Sequence, residues 1–224
     1  MPRIALVHAL EASIAPITAQ LESDWPEAWR MNLLDDSLSA DLAAAAGGLD
    51  DAMMGRFHRL ADYAVGAGAD AILFTCSAFG PCIESVARRH APLPVLKPNE
   101  AMIGEACAQA TGRPIGLVAT FAPTLQSMPR EFPPGVVVRT ALAEGALAAL
   151  QAGDPERHDA LAAEAAVRLA DAGCGIVALA QFSLARAQAV VAARCGLPVL
   201  TTPASAVRAL RQRLGERPVV SAPA

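Results

Sequence analysis

Short apolar segments alternate with helical patterns along the chain, and this alternation restricts the fold more than any other feature of the sequence. Five segments of strand length are apolar almost throughout: 4–7, 71–74, 115–118, 136–138 and 176–179. Strands that are apolar on both faces belong in a parallel sheet that helices cover on each side. Between these segments, apolar residues recur at steps of three and four from Leu49 to Ala64, which is typical of one helix face. Asp154 and Pro155 resemble an N-cap and a first helical residue, and predict a helix to about Ala170. The sequence therefore predicts an α/β, doubly wound architecture.

The chain also resembles itself at a shift of about 105 residues. At this shift Ile72 corresponds to Val177 and Cys76 to Gln181, and after a one-residue gap the LPVL of 93–96 matches the LPVL of 197–200. Residues 3–7 resemble 114–118, which brings Ser13 into register with Thr124. We interpret this as an internal duplication that produces two pseudo-symmetric α/β lobes with parallel sheets. The two lobes are expected to face each other across an active-site cleft, because ligands of such sheets bind beyond the carboxyl ends of the strands.

The expected lobe boundaries follow from the same comparison. The first lobe is predicted to comprise residues 1–97 plus 203–216, and the second lobe residues 98–202, with approximate boundaries. Residues 217–224 carry too little pattern for an ordered element and are predicted to form a flexible tail.

Composition excludes several classes of function. The net charge is −4 and no basic run occurs, so nucleic acid is not an expected partner. No apolar run approaches the roughly 18 residues of a membrane span, and the first residues do not resemble a signal peptide, so neither a membrane nor secretion is expected. The five cysteines are odd in number and form no CxxC pair, which argues against disulfides or a zinc site and favours the cytoplasm. No metal site, nucleotide motif or cofactor is expected, and pyridoxal phosphate would need a lysine, of which Lys97 is the only one.

The junction Thr75-Cys76-Ser77 is the first candidate site. It follows the apolar run 71–74 and precedes a predicted helix start at Gly80-Pro81. A cysteine at such a junction is accessible, and the positive end of the helix dipole is expected to favour its thiolate. Thr75 and Ser77 can donate hydrogen bonds to a carboxylate. The alternative is that Cys76 is a small core residue, which is our interpretation of the other cysteines: Cys82, Cys107, Cys174 and Cys195.

Four segments carry a resemblance to a known family: TCSAFG, VLKPNEAM, VATFAPT and PVLTTPASAV. Together they resemble the aspartate/glutamate racemase superfamily, which includes amino-acid, hydantoin and allantoin racemases, maleate isomerase and arylmalonate decarboxylase. The resemblance implies two pseudo-symmetric lobes, an active site between them and no cofactor. In the racemases, one cysteine from each lobe flanks the substrate carbon. The resemblance makes Cys76 the cysteine of the first lobe, with Thr75 and Ser77 beside it. It also makes Thr120 and Thr124 candidate carboxylate binders, with plain N-capping as the alternative.

The chain departs from this family pattern in its second half. Where the second cysteine is expected, the sequence reads LAQFSLA, with Gln181 at that position and Ser183 two residues later. An amide neither accepts nor supplies a proton near neutral pH. Racemisation would therefore need another base, for which His8 at the end of the first strand is a candidate. The alternative role of His8 is a structural hydrogen bond. Asp35 and Asp36 follow the MNLL run, at another expected strand end, and their alternative role is helix capping or exposure to water.

The leading hypothesis is a cofactor-independent, racemase-like enzyme that transfers a proton at the carbon α to the carboxylate of a small acid. Cys76 is the predicted catalytic residue, and the predicted substrate-binding residues are Thr75, Ser77, Thr120, Thr124, Gln181, Ser183, Ser13 and His8. The alternatives are a single-thiol decarboxylase of a malonate-type acid and a non-catalytic carboxylate-binding protein. A homodimer is a further expectation, and His58, His90 and His158 are expected to face solvent.

Overall fold

The computed structural model of this chain describes residues 1–45 and 47–215, and the predicted flexible tail at 217–224 lies outside them. Within this part of the chain the strands are β1 Arg3–His8, β2 Trp29–Leu34, β3 Ala71–Phe74, β4 Val95–Leu96, β5 Ile115–Ala119, β6 Val138–Leu142, β7 Ile176–Leu179 and β8 Val199–Thr201. The α-helices are α1 Ile14–Asp24, α2 Ser37–Ala44, α3 Asp51–Gly66, α4 Gly80–Arg89, α5 Glu100–Gln109, α6 Ala122–Ser127, α7 Ala146–Gln151, α8 Pro155–Asp171, α9 Gln188–Cys195 and α10 Thr202–Arg213. None of the described helices is long and apolar enough to cross a membrane.

The strands form two four-stranded sheets, and every strand pair in them is parallel. The strand orders are β2-β1-β3-β4 and β6-β5-β7-β8, so the two sheets have the same topology. The predicted α/β architecture with parallel sheets is confirmed, and the shared strand order supports the internal duplication. At the centre of the first sheet β1 pairs with β3, and at the centre of the second sheet β5 pairs with β7. Because these pairs are parallel, the carboxyl ends of the two central strands lie at the same edge of each sheet.

One predicted strand is displaced from its observed position. The run 136–138 was expected to form a buried strand, but β6 begins at Val138, opposite Ile115, and continues to Leu142. Val137 is 57% exposed and Val136 lies in a turn closed by its own amide and the carbonyl of Pro133. The prediction was wrong because β6 is an edge strand, and an edge strand does not need the continuous apolar sequence of a central one.

The chain divides by its internal contacts into two compact units. Of the described residues, the first unit contains those in 1–98 together with 206–215, and the second contains residues 99–205. The predicted cleft between lobes stays a prediction.

Aromatic rings form the centre of the first unit's core. The ring of Phe57 on α3 lies 5.4 Å from that of Phe74 at the end of β3 and 4.9 Å from that of Phe79, measured between centroids. All three side chains are almost completely buried. Such pairs contribute roughly 0.5–1.5 kcal/mol beyond the burial of their area. They hold α3 against the segment that carries Cys76.

The second unit has a core of small side chains. Helix α8 buries Ala162, Ala163 and Ala166, and its Leu169 lies so close to β5 that a Cβ on Gly116 would be 3.0 Å from it. Small residues allow the helix to approach the sheet closely. The predicted start of this helix is confirmed, because Asp154 accepts a hydrogen bond from the amide of Arg157 at 3.0 Å.

Helix α10 crosses the boundary between the two units, since its first four residues belong to the second unit. In the first unit, Arg211 on this helix donates a hydrogen bond to the carbonyl of Asp24, and its guanidinium lies 5.6 Å from the ring centre of the buried Trp25. The other tryptophan, Trp29, is 60% exposed and is covered by the guanidinium of Arg3 at 4.9 Å.

Candidate active site

Cys76 lies two residues after β3, at the carboxyl edge of the first sheet. It precedes a 3-10 turn, Ser77–Phe79, and α4 follows with Pro81 in its first turn, so the predicted helix start is confirmed. The thiol is half-buried and lines a narrow crevice together with apolar side chains and His8. The crevice has no space for a molecule the size of water. The crevice therefore borders the thiol on one side and is too small to enclose a ligand.

The surroundings of Cys76 favour the protonated thiol. Burial raises the pKa of Cys76, and hydrogen bonds involving the backbone at Ala78 and the hydroxyl of Ser39 lower it only in part. The expectation that a helix start would favour the thiolate is wrong for this residue. The α-helix begins four residues further on, behind the 3-10 turn, so the loss of hydration outweighs the helix dipole.

Three of the predicted substrate-binding residues form a hydrogen-bond network beside Cys76. The Nδ1 atom of His8 lies 2.9 Å from the hydroxyl of Thr75 and 3.1 Å from that of Ser13, and the two hydroxyls are 2.9 Å apart. The Nε2 atom of His8 lies 3.0 Å from the side-chain oxygen of Asn32. Ser13 also donates to the carbonyl of Leu10 at 2.7 Å. The network joins the carboxyl ends of β1 and β3 to Asn32 within β2.

The network restricts what His8 can do. The side chain is fully buried, and burial lowers its pKa, with the hydrogen bond to Asn32 acting in the opposite direction. Because the oxygen of Asn32 is an acceptor, we assign the ring proton to Nε2, which leaves Nδ1 to accept a hydrogen from Thr75 or Ser13. Both ring nitrogens are thus occupied. This geometry supports the structural alternative for His8 over a role as second base.

The remaining predicted residues of the first unit differ in exposure. Thr75 and Ser13 are almost completely buried, so their hydroxyls serve the internal network, whereas Ser77 is exposed at the start of the 3-10 turn. Asp35 accepts from Ser37 at 2.6 Å and pairs with Arg56 at 2.6 Å, and Asp36 is exposed. These contacts lower the pKa of Asp35 although burial alone would raise it. Asp35 is therefore a paired carboxylate that anchors the start of α2.

In the second unit the structure brings Thr120 and Gln181 together at the carboxyl ends of the adjacent strands β5 and β7. The amide N–H of Thr120 donates to the side-chain oxygen of Gln181 at 2.6 Å, and its hydroxyl donates to the same oxygen at 2.9 Å. Thr120 is 9% exposed, and Gln181 is half-buried. Both hydrogen-bond donors of Thr120, one of the two threonines predicted to bind a carboxylate, are thus used by Gln181.

Thr124 and Ser183 lie near this pair in the sequence but make different contacts. Thr124 is half-buried in the first turn of α6, and its amide donates to the carbonyl of Phe121 at 3.1 Å. Ser183 is half-buried in the 3-10 turn Phe182–Ala187 that follows Gln181. Their proposed contacts with a substrate stay predictions.

Sequence reasoning missed two groups of residues around these sites. Ser39 on α2 and Asn32 on β2 contact Cys76 and His8, and neither stands in a recognisable motif. His158 is completely buried, not exposed as expected, with Nδ1 2.8 Å from a carboxylate oxygen of Asp159. Asp159 also accepts from Arg186 through both oxygens, at 3.0 and 3.1 Å. Among residues 1–45 and 47–215, no group of three or more His, Cys, Asp or Glu side chains is arranged to hold a metal ion.

Solved structures resemble this fold over nearly its whole length. Allantoin racemase from Klebsiella pneumoniae is 19% identical, with a TM-score of 0.68 over 97% of this chain and 90% of that one. Aspartate racemase from Picrophilus torridus is 11% identical, with a TM-score of 0.69 over 97% and 96%. Unliganded arylmalonate decarboxylase is 16% identical, with a TM-score of 0.63 over 97% and 95%. At these identities the likeness shows the fold alone.

Comparison at the level of sequence families is more specific. No curated protein matches the chain significantly in a sequence search. The profile of the family described as Asp/Glu/Hydantoin racemase, in contrast, matches residues 14–210, which includes Cys76, Thr120 and Gln181. This match covers most of the chain, and the chain therefore belongs to the Asp/Glu/hydantoin racemase family.

Proposed function

We propose that this protein is a cofactor-independent enzyme that transfers a proton at the carbon next to the carboxylate of a small acid, with Cys76 as the proton carrier. The observation that supports this most directly is the position of Cys76. It is a half-buried thiol at the carboxyl edge of a parallel sheet, where α/β proteins bind ligands. Membership of a racemase family supports the same class of chemistry. All five cysteines are unpaired, which suits the reducing cytoplasm that we propose as the location of the reaction.

The protonation states of Cys76, His8 and Gln181 suggest whether Cys76 donates a proton to the substrate or removes one from it. Its raised pKa keeps the thiol protonated at neutral pH, so it acts first as a donor. Gln181 has no ionisation there, and the ring nitrogens of His8 are occupied by the hydroxyls of Thr75 and Ser13 and by the side-chain oxygen of Asn32. Racemisation by the two-base route requires a base and a donor together. The contacts of His8 and the amide of Gln181 supply no second base, which weakens that route.

These features favour a second candidate function, decarboxylation of a malonate-type acid. In that reaction the bond between the α-carbon and one carboxylate breaks, carbon dioxide leaves, and the electron pair remains as an enediolate on the rest of the acid. The α-carbon then takes the proton from the thiol of Cys76, and the resulting thiolate recovers a proton from water. One donor is sufficient for this sequence, whereas racemisation needs proton removal as well.

The experiment is a turnover assay in deuterated water with substituted malonates and with both enantiomers of aspartate, glutamate and allantoin. A decarboxylase releases carbon dioxide and places one deuterium on the product, whereas a racemase places deuterium at the α-carbon of both enantiomers. The variants Cys76→Ser and Cys76→Ala should lose about a thousandfold or more in turnover if the thiol is the essential carrier. Cys195→Ser is the matched control, because Cys195 is a half-buried thiol at the end of α9.

The assay also separates an enzyme from a carboxylate-binding protein. Turnover that is unchanged in Cys76→Ala would end the assignment of Cys76. Absence of turnover in the wild-type protein, together with ordinary alkylation of Cys76 and no pH anomaly, would favour the binding protein.

A further inference from the structure

The contact between Thr120 and Gln181 determines the orientation of the Gln181 amide. The oxygen and nitrogen of a glutamine side chain are commonly assigned from their hydrogen bonds. Here the partner at 2.6 Å is a backbone N–H, which can only donate, so the side-chain atom beside it must be the oxygen. The hydroxyl of Thr120 donates to the same oxygen at 2.9 Å. The Nε2 group of Gln181 is therefore the outer end of the side chain.

The outer end of Gln181 is a hydrogen-bond donor without a protein acceptor in the described part of the chain. The structure shows no hydrogen bond from Nε2 to any of these residues, and the side chain is only half-buried. Two bonds to one oxygen restrict the rotation of the amide, so its two N–H groups are held in a defined direction. The donors that Thr120 was expected to offer to a ligand are thereby replaced by those of Gln181.

We propose that Gln181 binds an oxygen atom of the substrate acid through Nε2, and that Thr120 holds the amide in the orientation this requires. The inference rests on the proposed function for the class of substrate and deepens it. An NH₂ group donates and does not accept, so it binds a carboxylate, carbonyl or hydroxyl oxygen and does not bind an ammonium group. The substrate class is thus an acid that presents an oxygen, and not an amino group, to Gln181.

The test exchanges the outer atom and leaves the inner contacts in place. In Gln181→Glu one carboxylate oxygen still accepts both hydrogens of Thr120, so the fold should be retained, which a thermal unfolding scan verifies. The other oxygen becomes an anionic acceptor where the NH₂ group was. Gln151→Glu is the matched control, since Gln151 is exposed at the end of α7 in the same unit and the change in net charge is the same.

Both substitutions are made in the Cys76→Ser protein, so that binding is measured without turnover, and malonate is the probe in titration calorimetry. We expect Gln181→Glu to weaken malonate binding at least about tenfold, as loss of a hydrogen bond to a charged group implies. The control should remain within about twofold of its parent. Equal affinity of Gln181→Glu and its parent, or no malonate binding by the parent, would overturn the proposal.

A second measurement does not depend on the Glu variant. The side-chain NH₂ signals of Gln181, assigned by their loss in Gln181→Glu or Gln181→Met, should shift on addition of malonate and stay in place on addition of methylammonium. Shifts of the opposite pattern would refute the proposed selectivity. Failure of these tests while Cys76→Ser abolishes turnover would leave the proposed function in place and remove only the role of Gln181.

Discussion

The hydroxyl of Thr75 can be removed with little change in side-chain shape by the substitution Thr75→Val. This hydroxyl is 2.9 Å from His8 Nδ1, 2.9 Å from the Ser13 hydroxyl and 3.4 Å from the carbonyl of Val7. Thr75 is 7% exposed, so water does not readily replace these partners. The change therefore tests whether the network that joins the carboxyl ends of the first sheet stabilises the fold.

The magnitude follows from counting the hydrogens in the network. Thr75 has a single hydroxyl hydrogen, so only one of the two contacts at 2.9 Å is a hydrogen bond that Thr75 donates, and it contributes about 1 kcal/mol. The single hydrogen of Ser13 is already donated to the carbonyl of Leu10, so after the substitution either that carbonyl or His8 Nδ1 has no donor. An unsatisfied buried acceptor adds about 1 kcal/mol or more. We expect the free energy of unfolding to fall by about 2–3 kcal/mol, and the melting temperature by about 5–10 °C.

The assay is urea denaturation of Thr75→Val beside Thr18→Val. Thr18 on α1 is the matched control because its hydroxyl oxygen is buried and has no hydrogen-bond partner among the residues that the structure describes. Thr18→Val should leave stability unchanged or raise it. A Thr75→Val protein within about 0.5 kcal/mol of the wild type, or an equal loss in both variants, would contradict the reasoning.

Three further predictions concern pH and packing. If the protonated thiol of Cys76 is the donor, kcat/KM should stay level through neutral pH and fall only above about pH 8.5, since burial raises its pKa, and a rate that increases with pH would contradict this. Because burial lowers the pKa of His8 in the folded state, the unfolded chain takes up the proton first, so the free energy of unfolding should decrease as the pH falls below about 6.5. Denaturation at pH 5 and 7.5 measures this slope, which should be shallower in His8→Gln. Gly116→Ala should lose about 1–3 kcal/mol of stability, because the new Cβ would lie 3.0 Å from Leu169, whereas Gly104→Ala in α5 meets nothing within 4 Å and should gain about 0.5–1 kcal/mol. Thermal scans of the two alanine variants would refute the packing argument if their order were reversed.

The central strands were predictable from the sequence because their signal is local. A strand buried on both faces is expected to be apolar, and β3, β5 and β7 meet this condition throughout, as β1 does between its polar end residues Arg3 and His8. The residues that follow β3 and β7, Cys76 and Gln181, could be compared because the duplication places them in register. The edge strand β6 could not be located in this way, since two of its five residues are exposed and none is fully buried.

The environments of the polar residues were less predictable, because they depend on partners far away in the sequence. The helical pattern around His158 suggests a surface residue, but the side chain is buried and its Nδ1 atom contacts Asp159. The other partner of Asp159 is Arg186, which lies 27 residues further along the chain. The hydroxyl of Ser39 beside Cys76 comes from α2, 37 positions earlier. The direction of the Cys76 pKa follows from burial, which the pattern of one short segment does not contain.

The path of α10 has a consequence for synthesis of the protein on the ribosome. Translation proceeds from the first residue to the last, so all of residues 99–205 are made before the part of α10 that belongs to the first unit. Until Ala206, Val207 and Leu210 emerge, the nascent first unit lacks three side chains that are fully buried in the finished protein. The contact between the ring of Trp25 and the guanidinium of Arg211 also cannot form until Arg211 has been translated. The second unit is thus fully translated before the first unit, although translation of the first unit begins earlier.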